Sequence, residues 1–272
     1  MTEKKHKIGI IGSHGVIGGA LRKYFEKQKN CELFCYDKKG VGSLEDINKA
    51  QYIYVCLPTP YDQKIGCDTR IIEDAIDQIK SNKIIIIKST IIPGTTDKIQ
   101  TNHPEHKIVF NPEFLVEKTA EKDMEFPDSQ IIGYTKRSRN VCKSVKKQLP
   151  MAPYTKIVPA HVAEFIKYAR NTWLSVRVAK NNELYDLCKK FGLSEKEWEA
   201  VIDGFGADKR IGYSHLKIIH NGKRGYSGKC LPKDMKGLLK LAKNLGIDMP
   251  VAKAADRYND KLLEEQGYKI FI

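Results

Sequence analysis

The sequence contains no long apolar run and no cysteine pattern typical of a disulfide framework or a zinc site. No stretch of about 18 apolar residues occurs, so we expect neither a membrane-spanning helix nor a membrane partner. The seven cysteines are an odd number without C-x-x-C pairs or flanking histidines, which predicts reduced thiols and no bound metal. Because the apolar stretch 8–11 is too short for a signal peptide, we also expect a cytoplasmic protein.

Internal repeats and low-complexity tracts are also absent, and the composition is that of a globular protein. The 272 residues are 41% hydrophobic and 29% charged, which suits one large domain or two ordinary ones. The formal net charge is +14, but the lysines are spread along the whole chain. A solvated, lysine-rich surface is therefore favoured over nucleic-acid binding.

A strand, a glycine-rich turn and a helix are predicted near the N-terminus. The apolar residues 7–12 are typical of a buried strand, and 15–27 of the helix that follows. The turn has the spacing G-x-x-G-x-x-G, so Ser13 occupies the first glycine position of the usual G-x-G-x-x-G register. Such glycines let the backbone approach a pyrophosphate, which the free amides of the helix start can bind. The residues expected to contact a dinucleotide in this turn are Gly12, Ser13, Gly15, Val16, Ile17 and Gly18.

An acidic residue follows the second predicted strand, 31–36. This residue, Asp37, lies about twenty residues after the last glycine of the turn. A carboxylate at that place accepts hydrogen bonds from an adenosine ribose, which favours NAD over NADP. The pattern indicates dinucleotide binding, and its alternative is an ordinary β-α-β unit.

Strands and helices alternate through the first half of the chain. Further strands are predicted at 52–56, 83–88, 107–110 and 131–134, with helices at 69–80 and 138–148. This order predicts the α/β class, with an N-terminal Rossmann-type, doubly wound parallel sheet followed by a mainly α-helical central domain. The segment 150–159 carries three prolines, and we place the boundary there: 1–155 as the NAD-binding domain and 156–266 as the helical domain.

Polar segments follow three of the predicted strands, at the edge where a parallel sheet places its ligand crevice. They are 57–60, 88–96 and 111–117. Their hydroxyls, amide and carboxylates suit a functional site, and turn chemistry is the alternative reason for the same residue types.

The second half is predicted to be helical, with a long helix at 161–190 and others at 197–205, 235–245 and 251–265. On the long helix, Glu164, Lys167 and Asn171 share one face, so an ammonium and an amide project together. The alternative is a solvated polar stripe.

One cysteine lies in a setting suited to a nucleophile. In the segment 225–234, two glycines precede Cys230, and Lys233 and Asp234 open a predicted helix. A thiol just before a helix N-terminus, with an ammonium nearby, is favoured as the thiolate. The alternative is a structural cysteine in a tight loop.

Several distinct motifs, each present once, follow one another along the chain. They are Lys-Ser-Thr-x-x-Pro-Gly-Thr at 88–95, Asn-Pro-Glu-Phe-Leu-x-Glu at 111–117, Pro127-Asp128, Glu164-x-x-Lys167-x-x-x-Asn171, Arg210-Ile211-Gly212 and Gly-x-x-Gly-x-Cys-x-Pro-Lys-Asp at 225–234. Through them the chain resembles the UDP-glucose/GDP-mannose dehydrogenase family from residue 7 to about 259. The resemblance implies a four-electron oxidation of a nucleotide sugar at C6, with UDP-glucose as the expected substrate and two NAD molecules used in succession.

The resemblance also implies roles for individual residues. Cys230 would attack the aldehyde made in the first oxidation, Lys167 and Asn171 would stabilise the oxyanion, and Asp234 and Glu117 would position or activate water. Outside the glycine turn, the implied cofactor-binding residues are Asp37, Pro58, Thr59, Thr90, Glu117 and Lys233, with Thr90 also in the catalytic set. The implied substrate-binding residues are Glu113, Phe114, Leu115, Lys167, Asn171, Arg210, Tyr226 and Gly228.

A homodimer built on the central helix follows from the same resemblance, with Arg210 reaching the neighbour's substrate.

Ser13, Lys118 and Lys229 depart from the family's usual residues. Family members carry a third, nucleotide-binding domain, and we expect the tail 267–272 to be the stub of its first strand and substrate affinity to be weaker. The alternatives are a two-domain β-hydroxyacid dehydrogenase and a non-catalytic, NAD-binding homologue.

Overall fold

The computed structural model describes residues 5–80, 82–220 and 222–268. The chain forms two compact units, which we call unit 1 (Met1–Pro60 with Cys67–Lys167) and unit 2 (Tyr61–Gly66 with Tyr168–Ile272). The domain boundary at 155/156 stays a prediction, and residues 269–272 of the expected stub lie outside the described residues.

The elements of the described residues alternate between strand and helix in the first half and are mainly helical in the second. The strands are β1 (His6–Ile11), β2 (Cys31–Tyr36), β3 (Tyr52–Val55), β4 (Tyr61–Asp62), β5 (Gly66–Cys67), β6 (Ile84–Ile87), β7 (Lys107–Phe110), β8 (Ser129–Tyr134), β9 (Tyr154–Pro159), β10 (Ile219–His220) and β11 (Lys223–Arg224). The α-helices are α1 (Val16–Glu26), α2 (Leu44–Ile47), α3 (Arg70–Asp77), α4 (Thr95–Asn102), α5 (Ala120–Glu125), α6 (Cys142–Gln148), α7 (Ala160–Phe191), α8 (Glu195–Gly206), α9 (Leu231–Asn244) and α10 (Pro250–Glu265).

Unit 1 is organised around a sheet in which seven described strands follow the order β2-β1-β3-β6-β7-β8-β9. Every residue of β3 and of β6, the latter four isoleucines, is buried. Such strands need apolar cover on both faces, which helices of a doubly wound fold supply. One hydrophobic cluster contains Leu21 and Phe25 of α1, and a second contains Ile72 and Ile76 of α3. The predicted fold class is therefore confirmed.

One strand pair departs from the all-parallel order predicted from the sequence. β8 runs antiparallel to β7, pairing Phe110 with Gly133, and β9 then runs parallel to β8. The segment 150–159, where the sequence analysis places the domain boundary and predicts no strand, thus contains one. Its prolines fit because β9 lies at the edge of the sheet, begins just after Pro153 and ends at Pro159, where few ladder amides are needed.

Gly133 on β8 allows the start of α7 to lie directly against the sheet. A Cβ atom built on this glycine would lie 2.8 Å from the Cβ of Ala163 and 2.9 Å from the Cα of Ala160. Any side chain here would push the helix away. The close contact places Glu164 and Lys167, on the first two turns of α7, within unit 1.

Unit 2 is mainly helical, as predicted. Its small core includes Tyr226, which lies before α9, together with Val178 of α7 and Ala255 of α10. The start of α8 carries a complete capping box, in which Ser194 and Glu197 each bond the other's backbone amide. None of the helices in the part of the chain that the structure describes has the length and apolar composition needed to span a bilayer.

Candidate functional site

The glycine turn after β1 is compressed against the neighbouring strands. Gly12 has φ +83°, and a Cβ atom there would lie 2.5 Å from the carbonyl oxygen of Cys56. A Cβ atom on Gly18 would lie 2.0 Å from the carbonyl oxygen of Gly12. Only glycine fits either position. The first-turn amides of α1, including those of Val16 and Ile17, have no acceptor within the helix and suit a phosphate.

Ser13, which departs from the usual glycine, fits the turn without strain. It is fully buried, it is not among the residues with positive φ, and its hydroxyl lies 3.1 Å from Nδ1 of His14. A side chain at this position is therefore compatible with the glycine turn.

Asp37 is held by the same turn. Its Oδ2 accepts a hydrogen bond of 2.9 Å from the backbone amide of His14, and its Oδ1 accepts one of 3.0 Å from the amide of Lys39. A carboxylate oxygen has two lone pairs, so each oxygen keeps acceptor capacity for a ribose hydroxyl. Together the compressed turn and the fixed carboxylate fit an adenine dinucleotide.

Replacing the carboxylate of Asp37 tests this fit. We expect Asp37→Asn to weaken NAD binding by about 10- to 100-fold, the loss typical of charge-assisted hydrogen bonds. Discrimination against NADP should fall at the same time, because a ribose phosphate is no longer repelled. Titration calorimetry with both dinucleotides measures the change, with Asp46→Asn, another partly exposed carboxylate of unit 1, as the control. Unchanged NAD affinity would contradict the assignment.

Lys167 makes a buried ion pair in unit 1. Its Nζ lies 2.7 Å from the carbonyl oxygen of Glu113 and 3.2 Å from Oε1 of the same residue. The side chains of Lys167 and Glu113 are only 6% and 9% exposed. Oε2 of Glu113 accepts from the amide of Leu115, and the ring of Phe114 lies 5.4 Å from the ammonium. The ammonium is thus fixed, and a solvated stripe is excluded at this position.

Glu164, one turn earlier on α7, organises the polar segment 88–96. Its carboxylate accepts from the amides of Gly94 and Thr96 and from the hydroxyl of Thr96, at 2.5–2.8 Å. Burial raises the pKa of this carboxyl, and these hydrogen bonds partly offset the shift. The contacts cap α4, a helix that the sequence does not predict because its residues have low helix propensity.

A second buried lysine, Lys88 at the end of β6, is absent from the predicted site. Its Nζ donates to Oδ1 of Asn111 at 2.7 Å, and burial lowers the pKa of Lys88 to about 8. The nearby thiol of Cys56 is also buried, which raises its pKa to about 12. A lysine directly after four isoleucines was the available signal, since such a strand end is buried.

The remaining predicted residues of unit 1 are Pro58 and Thr59 after β3, Thr90 after β6, and Glu117 after β7. The hydroxyl of Thr59 donates to the carbonyl oxygen of Thr90 at 2.6 Å, so the segments after β3 and β6 meet. Pro58 and Glu117 are exposed, and Glu117 begins the 3-10 turn Glu117–Thr119.

Cys230 is the N-cap residue of α9 and is exposed. Its carbonyl oxygen accepts the first helical hydrogen bond, 2.9 Å from the amide of Asp234. Gly225 and Gly228 before it have φ of +81° and +84°. The thiol therefore lies at the positive end of a 14-residue helix, where a thiolate is favoured.

Asn171 and Asp234 form a buried polar pair in unit 2. Nδ2 of Asn171 lies 2.5 Å from Oδ2 of Asp234, and Nζ of Lys233 lies 2.6 Å from Oδ1. Asn171 is 7% exposed and Asp234 is fully buried. The helix α7 thus supplies an amide that holds a carboxylate of α9, four residues after the cysteine.

Arg210, Tyr226 and Gly228 have different surroundings. Arg210 is exposed and pairs with Asp208, two residues away. The ring of Tyr226 is buried, and its hydroxyl lies 3.2 Å from Oδ1 of Asp256, so this side chain supports its loop. Gly228 is exposed.

The described residues contain no group of three or more histidine, cysteine, aspartate or glutamate side chains placed to hold a metal ion. The glycine turn with its fixed carboxylate defines an NAD-binding protein of the Rossmann type.

The chain belongs to the UDP-glucose/GDP-mannose dehydrogenase family. Residues 20–149 match the model of that family's NAD binding domain, and residues 161–261 match the model of its central domain.

Individual relatives agree with the family. The chain is 32% identical over 223 residues to a UDP-glucose 6-dehydrogenase of Rickettsia conorii, covering 79% of this chain and 50% of the relative. The structure of a UDP-glucose dehydrogenase from Pyrobaculum islandicum superposes on this chain with a TM-score of 0.79 and 23% sequence identity. The match covers 97% of this chain and 72% of the Pyrobaculum chain. A 3-hydroxyisobutyrate dehydrogenase structure from Mycobacterium tuberculosis matches with a TM-score of 0.73 and 16% sequence identity. That match covers 96% of this chain and 94% of the Mycobacterium chain. At these identities the structures show the fold alone.

The chain spans about half the length of the curated relatives it matches.

Proposed function

We propose that the protein catalyses the NAD-dependent, four-electron oxidation of a nucleotide sugar, UDP-glucose to UDP-glucuronate. The observation that carries this proposal is the placement of Cys230 at the N-terminus of α9, four residues before a carboxylate that Asn171 holds. A β-hydroxyacid dehydrogenase has no use for a nucleophilic thiol.

The proposed reaction runs through a covalent intermediate on Cys230. Bound NAD supplies the hydride acceptor in each of two oxidations. The C6 alcohol first loses a hydride and a proton to become an aldehyde, which the thiolate attacks to give a thiohemiacetal. Loss of a second hydride and a proton gives a thioester, and water releases the carboxylate and restores the thiol. The sum is one alcohol, two NAD and one water converted to one carboxylate, two NADH and three protons.

The buried polar groups suit the charges of these steps. In our proposal, the fixed ammonium of Lys167 and the amide of Asn171 stabilise the negatively charged oxygen that forms at C6. Asp234, which accepts from Asn171 and Lys233, and Glu117, which is exposed, would orient the hydrolytic water.

A panel of nucleotide sugars with NAD, followed by NADH absorbance, tests the proposal. We expect turnover with UDP-glucose and two NADH for each sugar consumed. One NADH for each substrate molecule would favour a β-hydroxyacid dehydrogenase. Binding of NAD without turnover of any sugar would favour a non-catalytic homologue.

We further propose a homodimer that uses α7. Three apolar side chains on this helix are strongly exposed: Trp173 at 70%, Leu187 at 66% and Phe191 at 83%. Light scattering at micromolar concentration is expected to give twice the mass of one chain, and Trp173→Glu is expected to give mainly monomer because it places a charge in an apolar interface. Phe126→Glu, which changes a residue 71% exposed in unit 1, is the matched control. A monomeric unchanged protein would contradict the proposal.

A further inference from the structure

The main chain just before the cysteine is bonded on both sides by one side chain of α10. Oδ1 of Asn259 accepts from the amide of Tyr226 at 2.7 Å, and its Nδ2 donates to the carbonyl oxygen of Tyr226 at 3.0 Å. Asn259 is 1% exposed and Tyr226 is 2% exposed. An amide that satisfies both backbone groups of a buried residue acts as a neighbouring β-strand would.

A similar contact occurs two residues earlier. Oε1 of Gln266 accepts from the amide of Arg224 at 2.8 Å, and its Nε2 lies 3.3 Å from the carbonyl oxygen of Arg224. Asn259 on α10 and Gln266, its C-cap residue, are separated by about two helical turns and therefore share one face. That face holds the main chain that leads to Cys230.

Gly225, between the two bonded residues, shows how close this approach is. It has φ +81°, and a Cβ atom built on it would lie 2.6 Å from Oδ1 of Asn259. The glycine of the motif is thus required by its backbone conformation and by the asparagine that faces it.

The side chain of Tyr226 is also linked, through Asp256 of α10, to α9, the helix that follows Cys230. Its hydroxyl lies 3.2 Å from Oδ1 of Asp256. Lys236 of α9 lies 3.1 Å from Oδ2 of Asp256 and 2.9 Å from Oδ2 of Asp260. These contacts link α10 to α9, so the two ends of the segment from Tyr226 to Cys230 are attached to one packed pair of helices.

We propose that Asn259 is a positioning residue for the nucleophile: it fixes the main chain at Tyr226 and thereby holds the thiol of Cys230 at the N-terminus of α9. This inference rests on the proposed function. In that reaction the first oxidation does not use the thiol, whereas retention of the aldehyde does. Loss of the anchor should therefore separate the two oxidations, a result that general destabilisation would not produce.

The experiment compares the unchanged protein with Asn259→Ala and with Asn259→Asp, which keeps an acceptor for the amide of Tyr226 and loses the donor. Asn181→Ala is the matched control, because Asn181 is also buried in unit 2 and bonds a loop carbonyl, that of Leu216. Hydrogen exchange of the peptide that contains Tyr226 reports whether the hydrogen bonds between Asn259 and the backbone of Tyr226 are lost. NADH formed for each sugar consumed, with hydroxylamine present to convert free aldehyde to its oxime and water, reports whether the thiol retains the aldehyde.

We expect Asn259→Ala to expose the amide of Tyr226 to exchange. Acid formation should fall by about 100-fold, the loss that a displacement of about 1 Å produces. The number of NADH formed for each sugar should fall from two towards one, with oxime released. Asn259→Asp should lie between, and Asn181→Ala should keep a ratio of two. Faster exchange with a ratio of two and unchanged acid formation would overturn the inference. If the unchanged protein oxidises no sugar, the proposed function fails. The inference is then decided by alkylation of Cys230 with iodoacetamide, and an equal rate in Asn259→Ala overturns it.

Discussion

Cys230→Ala is expected to abolish formation of the sugar acid while the first oxidation remains. The alanine side chain cannot hold the aldehyde, so no thiohemiacetal forms from which a second hydride can leave. Removal of an activated nucleophile lowers the rate of its reaction by on the order of 10³-fold or more. With hydroxylamine present, NADH should appear in a ratio of one to each sugar, together with the oxime.

A second cysteine of unit 2 provides the control for this result. Cys188 on α7 is half-buried and has no proposed role, so Cys188→Ala should keep two NADH for each sugar. Mass spectrometry of the product distinguishes acid from oxime in each variant. If Cys230→Ala still forms acid at the rate of the unchanged protein, the covalent mechanism is wrong. One NADH for each substrate molecule in the unchanged protein, with Cys230→Ala equally active, would favour the β-hydroxyacid dehydrogenase alternative.

Lys167→Met should have the second large effect, on activity and on stability together. Its ammonium is proposed to stabilise the oxygen that gains charge at C6, and loss of one such group lowers kcat by about 10²–10³-fold. The same substitution leaves the carboxylate of Glu113, 9% exposed, without its cation. Breaking a buried pair on one side destabilises a protein by about 3–5 kcal/mol. Chemical denaturation and steady-state kinetics measure the two losses separately.

A double variant separates these two roles of Lys167. Adding Glu113→Gln to Lys167→Met removes the unpaired charge, so most of the unfolding free energy should return because the two sites are coupled. The rate should stay low, since the ammonium is still absent. Recovery of both stability and rate would mean that Lys167 acts only on the fold.

Much of unit 1 is predictable because its signals are local. Four-residue apolar runs such as Ile84–Ile87 have one stable place, a sheet covered on both faces. Two elements that the sequence does not predict, β9 and α4, depend on distant partners. β9 forms because β8 offers an edge for pairing, and α4 forms because Glu164, far along the chain, caps it.

The site divides in the same way. Composition and spacing determine the glycine turn, the acidic residue after β2 and a cysteine before a helix, because each depends on backbone conformation within a few residues. Only the tertiary structure decides that Asn171 bonds Asp234, that Lys88 bonds Asn111 and that Asn259 holds Tyr226. The physical reason is that a buried polar group must find a partner wherever packing brings one, and that partner leaves no periodic trace in the chain.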